Sequence, residues 1–341
     1  CGENDRALHL YDRMMEEGMI PNRITFSNLL NVCASECTLA KGKQMHALFA
    51  TSIIETDIIV VSALVNMYGK CGHVENACYF FNRMQEHDLV AWTTMISVYA
   101  HDGQPRKAFV LFRQIQEECL IPDIVTIIAV ICACSSNDIL YIGKQIHSCI
   151  LDSLDSLDTV LGNALVNMYG RCGCLDHALF SFEGMSKRDV ISFLNIISAC
   201  ADHAALVQGQ KVHNLLIESG FDCDEAVRNS LVNLYGKCGA MVDARKLFEC
   251  MTERNIITWN AMMATYSLNG DAENALRLFE QMHENKVKPD GFTFVSVLTA
   301  CNHAGLIEEG YNYLWCMSHP CHLHPFVSIS STWCIPYVLP L

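Results

Sequence analysis

Nearly the same nine residues occur three times: LVNMYGKCG at Leu64–Gly72, LVNMYGRCG at Leu165–Gly173 and LVNLYGKCG at Leu231–Gly239. Each copy is followed by a second segment of similar pattern that closes on Asp or Asn. Self-similarity at such spacings is the signature of a repeat architecture. The sequence therefore predicts an array of related units rather than one globular core.

The units have two lengths, 31 and 35 residues, and they tile positions 23–290 without gaps. The 31-residue units hold the nine-residue motif and are 58–88, 159–189 and 225–255. The 35-residue units with KGKQMH, IGKQIH or QGQKVH are 23–57, 124–158 and 190–224. The 35-residue units that end in IPD or KPD are 89–123 and 256–290. Residues 1–22 end an earlier unit, 291–317 begin another, and 318–341 lose the pattern, so we expect a disordered tail.

Each unit has the pattern of two helices joined by a glycine turn. In 58–88, Leu64 and Tyr68 share one face of a first helix, which Gly72 ends because glycine adopts the left-handed cap conformation freely. Ala77 and Phe81 lie on the apolar stripe of a second helix. A lone helical pair cannot bury both of its apolar faces, so the units must stack on one another. The predicted fold is an all-α solenoid.

The period and the motifs together resemble one known family. A strict 34-residue tetratricopeptide array does not alternate 31 and 35 residues, and the ankyrin motif TPLH is absent. ALVNMYGKCG with its following segment resembles the S unit of land-plant PLS-class pentatricopeptide repeat (PPR) proteins. LVAWTTMISVYAHDGQPRKAFVLFRQIQEECLIPD resembles their P unit, and AVICACSSNDILYIGKQIHSCILDS resembles their L unit. The resemblance covers residues 1–317 and implies a right-handed α-solenoid of helix-turn-helix repeats.

We name the units L-type, S-type and P-type after this resemblance. The L-type units are 23–57, 124–158, 190–224 and the partial 291–317; the S-type units are 58–88, 159–189 and 225–255; and the P-type units are 89–123 and 256–290. The family order is P, L, S in rotation. Here the S-type unit 159–189 runs directly into the L-type unit 190–224, so one P-type unit is missing.

The resemblance implies that each unit reads one base of single-stranded RNA with its fifth and last residues. Short polar side chains at these places can donate to or accept from a base edge. Every S- and P-type unit carries a polar pair: Ser62/Asp88, Thr93/Asp123, Asn163/Asp189, Asn229/Asn255 and Asn260/Asp290. In two L-type units the fifth residue is apolar, Ile128 or Leu194. The family's code then implies a target of purine-G-N-U-N-pyrimidine-U.

Two further sets of residues recur once per unit. The second residue of each unit is apolar: Ile59, Val90, Val125, Val160, Ile191, Ala226 and Ile257. The resemblance implies that these side chains sandwich the base, and the alternative is that they belong to the core. The thirteenth residue of each S-type unit is basic: Lys70, Arg171 and Lys237. These cations could follow a phosphate backbone, or they could complement the negative end of the helix dipole.

Composition constrains partners and chemistry. The formal net charge of −14 argues against a general polyanion-binding surface. Nineteen cysteines, an odd number without a C-x-x-C motif, favour reduced thiols over a disulfide framework. The eleventh place of L-type units is always Cys and the twenty-fourth usually His, which indicates structural positions rather than a metal site: Cys33, Cys134, Cys200, Cys301, His46, His147 and His213.

We expect neither an enzyme nor a cofactor site. The H-x-E sequence His73–Glu75 lies in a turn and lacks the C-x-x-C that zinc deaminases require. No apolar run is long enough for a membrane span, and no signal or transit peptide is visible at Cys1. By resemblance, we expect an RNA specificity factor for editing or processing in a mitochondrion or chloroplast, with any editing deaminase supplied in trans. The alternative is a protein-binding scaffold of the tetratricopeptide type.

Overall fold

The structure, a computed structural model, describes residues 2–50, 57–134, 140–153 and 157–318. These residues form helices joined by short turns, and the described part contains no strand, only one isolated bridge between Leu157 and Met185. The chain divides into two compact bodies, Cys1–Arg188 and Asp189 onward, which we call the N-terminal and the C-terminal body.

Helices alternate regularly along each body. In the N-terminal body they are Gly2–Glu16 (α1), Arg23–Ser35 (α2), Leu39–Ala50 (α3), Ile58–Lys70 (α4), Val74–Arg83 (α5), Leu89–His101 (α6), Pro105–Glu117 (α7), Ile124–Ala133 (α8), Leu140–Ser153 (α9), Thr159–Arg171 (α10) and Leu175–Glu183 (α11). In the C-terminal body they are Val190–Asp202 (α12), Leu206–Glu218 (α13), Glu225–Lys237 (α14), Met241–Cys250 (α15), Ile256–Leu268 (α16), Ala272–Glu284 (α17), Gly291–Ala304 (α18) and Ile307–Ser318 (α19). The first helix of a unit is its A helix, even-numbered from α2 to α18, and the second is its B helix, odd-numbered from α3 to α19.

The last residue of each predicted unit caps the A helix that follows. Asp88 accepts the Ala91 N–H at 2.8 Å, and Asp224 accepts the Val227 N–H at 3.1 Å. The same arrangement holds at Asp57, Asp123, Asp158, Asp189, Asn255 and Asp290. A side-chain N-cap of this kind stabilises a helix by about 0.5–2 kcal/mol. Each unit border is therefore also a helix start signal.

Glycine ends the A helices of the S-type units. Gly72, Gly173 and Gly239 have φ of 77°, 73° and 73°, which an L-residue with a side chain rarely adopts. The turn after α4 then closes with a hydrogen bond from the His73 N–H to the Tyr68 carbonyl at 2.8 Å. This closure satisfies a carbonyl that the helix end leaves without a partner.

Within each body the A helices form a layer and the B helices pack against it. Within the N-terminal body α2, α4, α6, α8 and α10 contact one another in order, as do α12, α14, α16 and α18 within the C-terminal body. Leu64 and Tyr68 are 1% and 3% exposed, and Ala77 and Phe81 are 0% and 5% exposed, so both predicted apolar faces are buried. The prediction of an all-α stack of hairpins is confirmed, while its handedness stays a prediction.

The C-terminal end differs slightly from the sequence prediction. The last helix α19 continues to Ser318, one residue beyond the predicted end of the repeat array. Positions 319–341 lie outside the described residues, so the expected disorder of the tail stays a prediction. No helix in the described ranges combines the length and apolar composition needed to cross a bilayer.

Candidate nucleic-acid interface

The apolar second residues of the units lie on the surface rather than in the core. Their exposed fractions are 48% for Ile59, 64% for Val90, 62% for Val160 and 60% for Ile257. Val125 and Ile191 are 58% and 56% exposed, and Ala226 is exposed as well. The alternative that these residues are core is therefore wrong. Ile24 and Phe292, at the same place in two further units, are 59% and 76% exposed.

The exposed residues of an A helix line up in one stripe. On α10 they are Val160, Asn167 and Arg171, the second, ninth and thirteenth residues of the unit. Steps of seven and eleven residues return to the same face of an α-helix. We call these three places the A-stripe, which Ala226, Asn233 and Lys237 form on α14. The sequence prediction missed the ninth place, although the recurring Asn was a visible signal.

The fifth and last residues of the first P-type unit meet through a residue of the next unit. The Thr93 hydroxyl lies 2.6 Å from the Thr126 hydroxyl, which donates to Asp123 Oδ1 at 2.7 Å. Thr126 is fully buried, whereas Thr93 is half-buried. Sequence reasoning missed Thr126 because its role depends on which side chain of the preceding unit it faces.

In the second P-type unit the predicted pair is in direct contact. Asn260 Nδ2 donates to Asp290 Oδ1 at 3.0 Å, and the Thr293 hydroxyl donates to Asn260 Oδ1 at 2.7 Å. Burial alone would raise the pKa of Asp290, but hydrogen bonds from Thr293 and Asn260 outweigh it and lower that pKa below 3.8. The amide orientation is thus fixed, and each amide atom keeps capacity for one further hydrogen bond.

Two of the three S-type units have a buried fifth residue. Ser62 and Asn229 are 8% and 9% exposed, and Ser62 Oγ and Asn229 Oδ1 have no hydrogen-bond partner among the described residues. Buried polar atoms without a partner are costly, and each of these two atoms therefore has unused hydrogen-bonding capacity. Asn255 caps α16 and also donates to Glu225. Asn163 lies on α10 of the N-terminal body, while Asp189 caps α12 of the C-terminal body.

The predicted cations occupy the last turns of their A helices. Lys70, Arg171 and Lys237 are exposed there, where a positive charge also complements the helix dipole. Lys237 Nζ contacts Asp202 Oδ1 at 2.7 Å, and both side chains are solvent-exposed. Exposed ion pairs contribute about 0–1 kcal/mol, so a phosphate could replace this carboxylate at little cost. Both interpretations of the cations remain compatible with their positions.

The recurring cysteines of the L-type units are buried in the helical packing. Cys33, Cys134, Cys200 and Cys301 are free thiols, each at most 2% exposed. Burial raises the pKa of Cys134 to about 12 and that of Cys200 to about 11, so these thiols stay protonated near neutral pH. In the described ranges no three His, Cys, Asp or Glu side chains are placed to hold a metal ion.

Comparison with family models gives matches along most of the array. The model described as "PPR repeat family" matches residues 87–136 and 254–303. The model described as "PPR repeat" matches 59–89, 163–190 and 227–256. The model described as "Pentatricopeptide repeat domain" matches 1–36. Together these matches cover well over half of the chain.

Several curated proteins of Arabidopsis thaliana are similar over nearly the whole chain. One pentatricopeptide repeat-containing protein is 31% identical over 92% of this chain and 56% of its own length. A chloroplastic one is 35% identical over 87% of this chain and 41% of its own length. A mitochondrial one is 32% identical over 91% of this chain and 50% of its own length. The chain thus spans about half the length of these relatives.

Solved structures share the fold. The crystal structure of the pentatricopeptide repeat protein PPR10 from maize matches 94% of this chain and 52% of that chain, with a TM-score of 0.69 and 17% identity. The structure of PPR10 in complex with an 18-nt psaJ RNA element matches 95% of this chain and 54% of that chain, with a TM-score of 0.69 and 18% identity. At this identity the likeness establishes the α-solenoid fold.

Proposed function

The chain belongs to the pentatricopeptide repeat family, and we propose that it binds single-stranded RNA through the A-helix layer, one nucleotide per S- or P-type unit. The observation that carries this proposal is the regular exposure of the second residues. Apolar side chains at the second place of their units, with exposed fractions of 48–64% at Ile59, Val90, Val160 and Ile257, offer surfaces against which bases can pack. A solved relative, PPR10, is described in complex with an RNA element.

The polar pairs beside these surfaces provide the chemistry for choosing a base. The predicted target purine-G-N-U-N-pyrimidine-U pairs Thr93/Asp123 with G and Asn260/Asp290 with U. Asn260 presents a donor and an acceptor in a fixed orientation because Asp290 and Thr293 hold its amide. The A-stripe cations Lys70, Arg171 and Lys237 would follow the backbone, so affinity should fall as salt rises.

A protein-binding scaffold is the rival function, since exposed apolar residues also suit protein partners. Two features favour RNA. Polar fifth residues occur in every S- and P-type unit, whereas Ile128 and Leu194 occupy that place in two L-type units. Asn229 Oδ1 and Ser62 Oγ are also left without partners in the described part of the chain, and a base edge could satisfy them.

The cellular role in the proposal is that of a specificity factor. The names of two relatives place them in the chloroplast and the mitochondrion, which supports an organellar RNA target for this chain. The bound RNA would be presented to an editing deaminase or another processing factor supplied in trans. We assign no catalytic residue to this chain.

The decisive experiment selects RNAs from a random single-stranded pool with the purified chain. We expect Asn260→Thr, with Asp290 kept, to shift one selected position from U toward G and leave the other positions unchanged. Asn285→Thr is the matched control, because Asn285 is exposed after α17 and lies outside the A-stripe. A pool enriched identically by wild type and Asn260→Thr contradicts base reading, and the absence of any enrichment favours the scaffold.

A further inference from the structure

We call the contact between two consecutive units a joint. The joints between an L-type unit and the following S-type unit differ from the other joints in the size of the twentieth residue of the first unit. The twentieth residue of a unit lies on its B helix. It is Gly in the L-type units, namely Gly42, Gly143, Gly209 and Gly310, and Ala in the S- and P-type units, namely Ala77, Ala108, Ala178, Ala244 and Ala275. Glycine destabilises a helix interior relative to alanine. Its restriction to L-type units therefore requires a steric reason.

The steric reason is the A helix of the following S-type unit. A Cβ on Gly42 would lie 2.5 Å from Met67 Sδ, and one on Gly143 would lie 2.4 Å from Met168 Sδ. A Cβ on Gly209 would lie 2.7 Å from Leu234 Cδ2. Met67, Met168 and Leu234 all occupy the tenth place of an S-type unit, and their exposed fractions are 0%, 3% and 0%.

The last L-type glycine provides an internal comparison. No S-type unit follows Gly310 within the described residues, and a Cβ there would meet only Cys301 Cβ at 3.6 Å, an ordinary contact. The tenth residue is also smaller where the preceding unit carries Ala at its twentieth place. It is Ala133 and Ala300 after P-type units, and Val98, Ala199 and Thr265 after S-type units. Met or Leu at the tenth place therefore occurs together with glycine at the twentieth place of the preceding unit. The smaller Val98 and Thr265 lie instead against Gly69 and Gly236, at the twelfth place of the preceding unit.

A polar contact accompanies the steric fit at each of the three joints. The Nδ1–Oη distances are 2.9 Å for His46 and Tyr68, 2.9 Å for His147 and Tyr169, and 2.7 Å for His213 and Tyr235. The histidines hold the twenty-fourth place of L-type units, where S- and P-type units carry Phe81, Phe112, Phe182, Phe248 or Phe279. The tyrosines hold the eleventh place of S-type units.

The buried surroundings keep both partners neutral. Burial lowers the pKa of His147 and His213 below 6.5. Burial also raises the pKa of Tyr169 and of Tyr235 to about 12. A neutral imidazole and a neutral phenol can each donate or accept, so the bond persists near neutral pH.

We propose that Gly209 and His213, with their counterparts Gly42/His46 and Gly143/His147, are positioning residues that seat the A helix of the next S-type unit. In this arrangement an L-type unit acts chiefly as the seat for its S-type neighbour, and the apolar fifth residues Ile128 and Leu194 are consistent with that division of roles. The pairing of each L-type unit with the S-type unit that follows it is also consistent with the irregular unit order. Loss of a P-type unit before position 190 leaves every joint from an L-type to an S-type unit intact.

The first test measures unfolding of the whole chain and needs no RNA. We expect Gly209→Ala to lower the unfolding midpoint by about 3–10 °C because of overpacking. Gly310→Ala, the matched control, should leave the midpoint unchanged or raise it. Leu234→Ala should relieve the clash, so that the double variant Gly209→Ala/Leu234→Ala loses less than the two single losses added together. Two outcomes would overturn the proposal. Gly209→Ala and Gly310→Ala could change the midpoint equally, or the losses of Gly209→Ala and Leu234→Ala could add strictly in the double variant.

The second test addresses positioning and rests on the proposed RNA function. Tyr235→Phe removes only the hydroxyl, and Tyr266→Phe is the control because its unit follows an S-type unit that carries Phe248 in place of histidine. We expect Tyr235→Phe to weaken base discrimination opposite Asn229 about threefold, the order of one net hydrogen bond, and to leave the position opposite Asn260 unchanged. If base discrimination weakens equally opposite Asn229 and Asn260, the hydrogen bond between His213 and Tyr235 stabilises the fold in general and does not position Asn229. A wild-type chain that selects no RNA would contradict the proposed function, while the unfolding cycle still decides the seat.

Discussion

The two P-type units solve the same geometric problem with side chains of different length. Thr93 is too short to reach Asp123 and contacts it only through the Thr126 hydroxyl, at 2.6 Å and then 2.7 Å. Asn260 reaches Asp290 directly at 3.0 Å and is also held by Thr293. In both P-type units, the fifth residue is thus held by a cluster of three side chains from two units, rather than by the two-residue pair that sequence reasoning assigned.

The largest expected effect of a substitution is at the buried threonines Thr126 and Thr293. Thr293→Val should lower the free energy of unfolding by about 1–3 kcal/mol, because it leaves Asn260 Oδ1 and the Asp290 N–H without their hydroxyl partner. Thr126→Val should cost less, about 0.5–1.5 kcal/mol, because the half-buried Thr93 can turn to water. Denaturant titrations of both variants provide the measurement. Equal losses would show that the direct contact of the second unit adds nothing.

The pH dependence of stability tests the hydrogen bonds to Asp290 in the second P-type unit. The lowered pKa of Asp290 stabilises the fold above pH 3.8, and this contribution is lost as the pH falls through the lower folded-state value. We therefore expect Asp290→Asn to reduce the loss of unfolding free energy between pH 5 and pH 2. Asn260→Thr, which removes one of the hydrogen bonds to this carboxylate, should give an intermediate slope. Three superimposable pH profiles would contradict the cause assigned to the shift.

Substitution of an exposed second residue should change RNA binding without changing the stability of the fold. Ile257→Ser should change the free energy of unfolding by no more than about 0.5 kcal/mol, because the side chain is 60% exposed, yet it should weaken RNA binding. Val242→Ser is matched in exposure, at 65%, but lies on the B helix α15 and should change neither quantity. Filter binding and thermal unfolding of the two variants distinguish a base-packing surface from an incidental apolar residue.

The smallest expected effect concerns the A-stripe cations of the two bodies. Lys237 has Asp202 at the thirteenth place of the preceding unit, whereas the corresponding neighbour of Lys70 is Ser35. Asp202→Asn should tighten RNA binding a few-fold at low salt, and Ser35→Asp should weaken it by a similar factor, since each changes one charge beside the phosphate path. Stability should barely change in either variant. If neither substitution changes RNA affinity, the cations only complement the negative end of the helix dipole.

Much of the fold could be predicted from the sequence because the same solution is repeated. The period predicted the hairpins, and the first residue of every predicted unit is the first residue of a helix, from Arg23 to Gly291. Asp or Asn before an apolar run is a local capping signal, and glycine after the nine-residue motif is a local stop signal. Such signals act within a few residues and do not depend on tertiary contacts.

The site was harder to predict because exposure is not a local property. An apolar residue at helical spacing, such as Val160, has the same pattern whether it faces a neighbour or solvent, and only the stacking of A helices shows that it is exposed. Thr126 and Thr293 carried no sequence signal, since each contacts a residue 33 positions earlier. The ninth-place asparagines were visible but had no assigned meaning without the shared face.

Helix periodicity, caps and glycine stops are encoded within each unit, so the sequence alone specifies a stack of two-helix units. Which faces remain exposed, and which side chains of consecutive units meet, follows from the packing of the units in three dimensions. The physical reason is that Gly209 and Leu234, or Asn260 and Thr293, become neighbours through packing between units, where steric fit and hydrogen bonding act on residues that are distant along the chain.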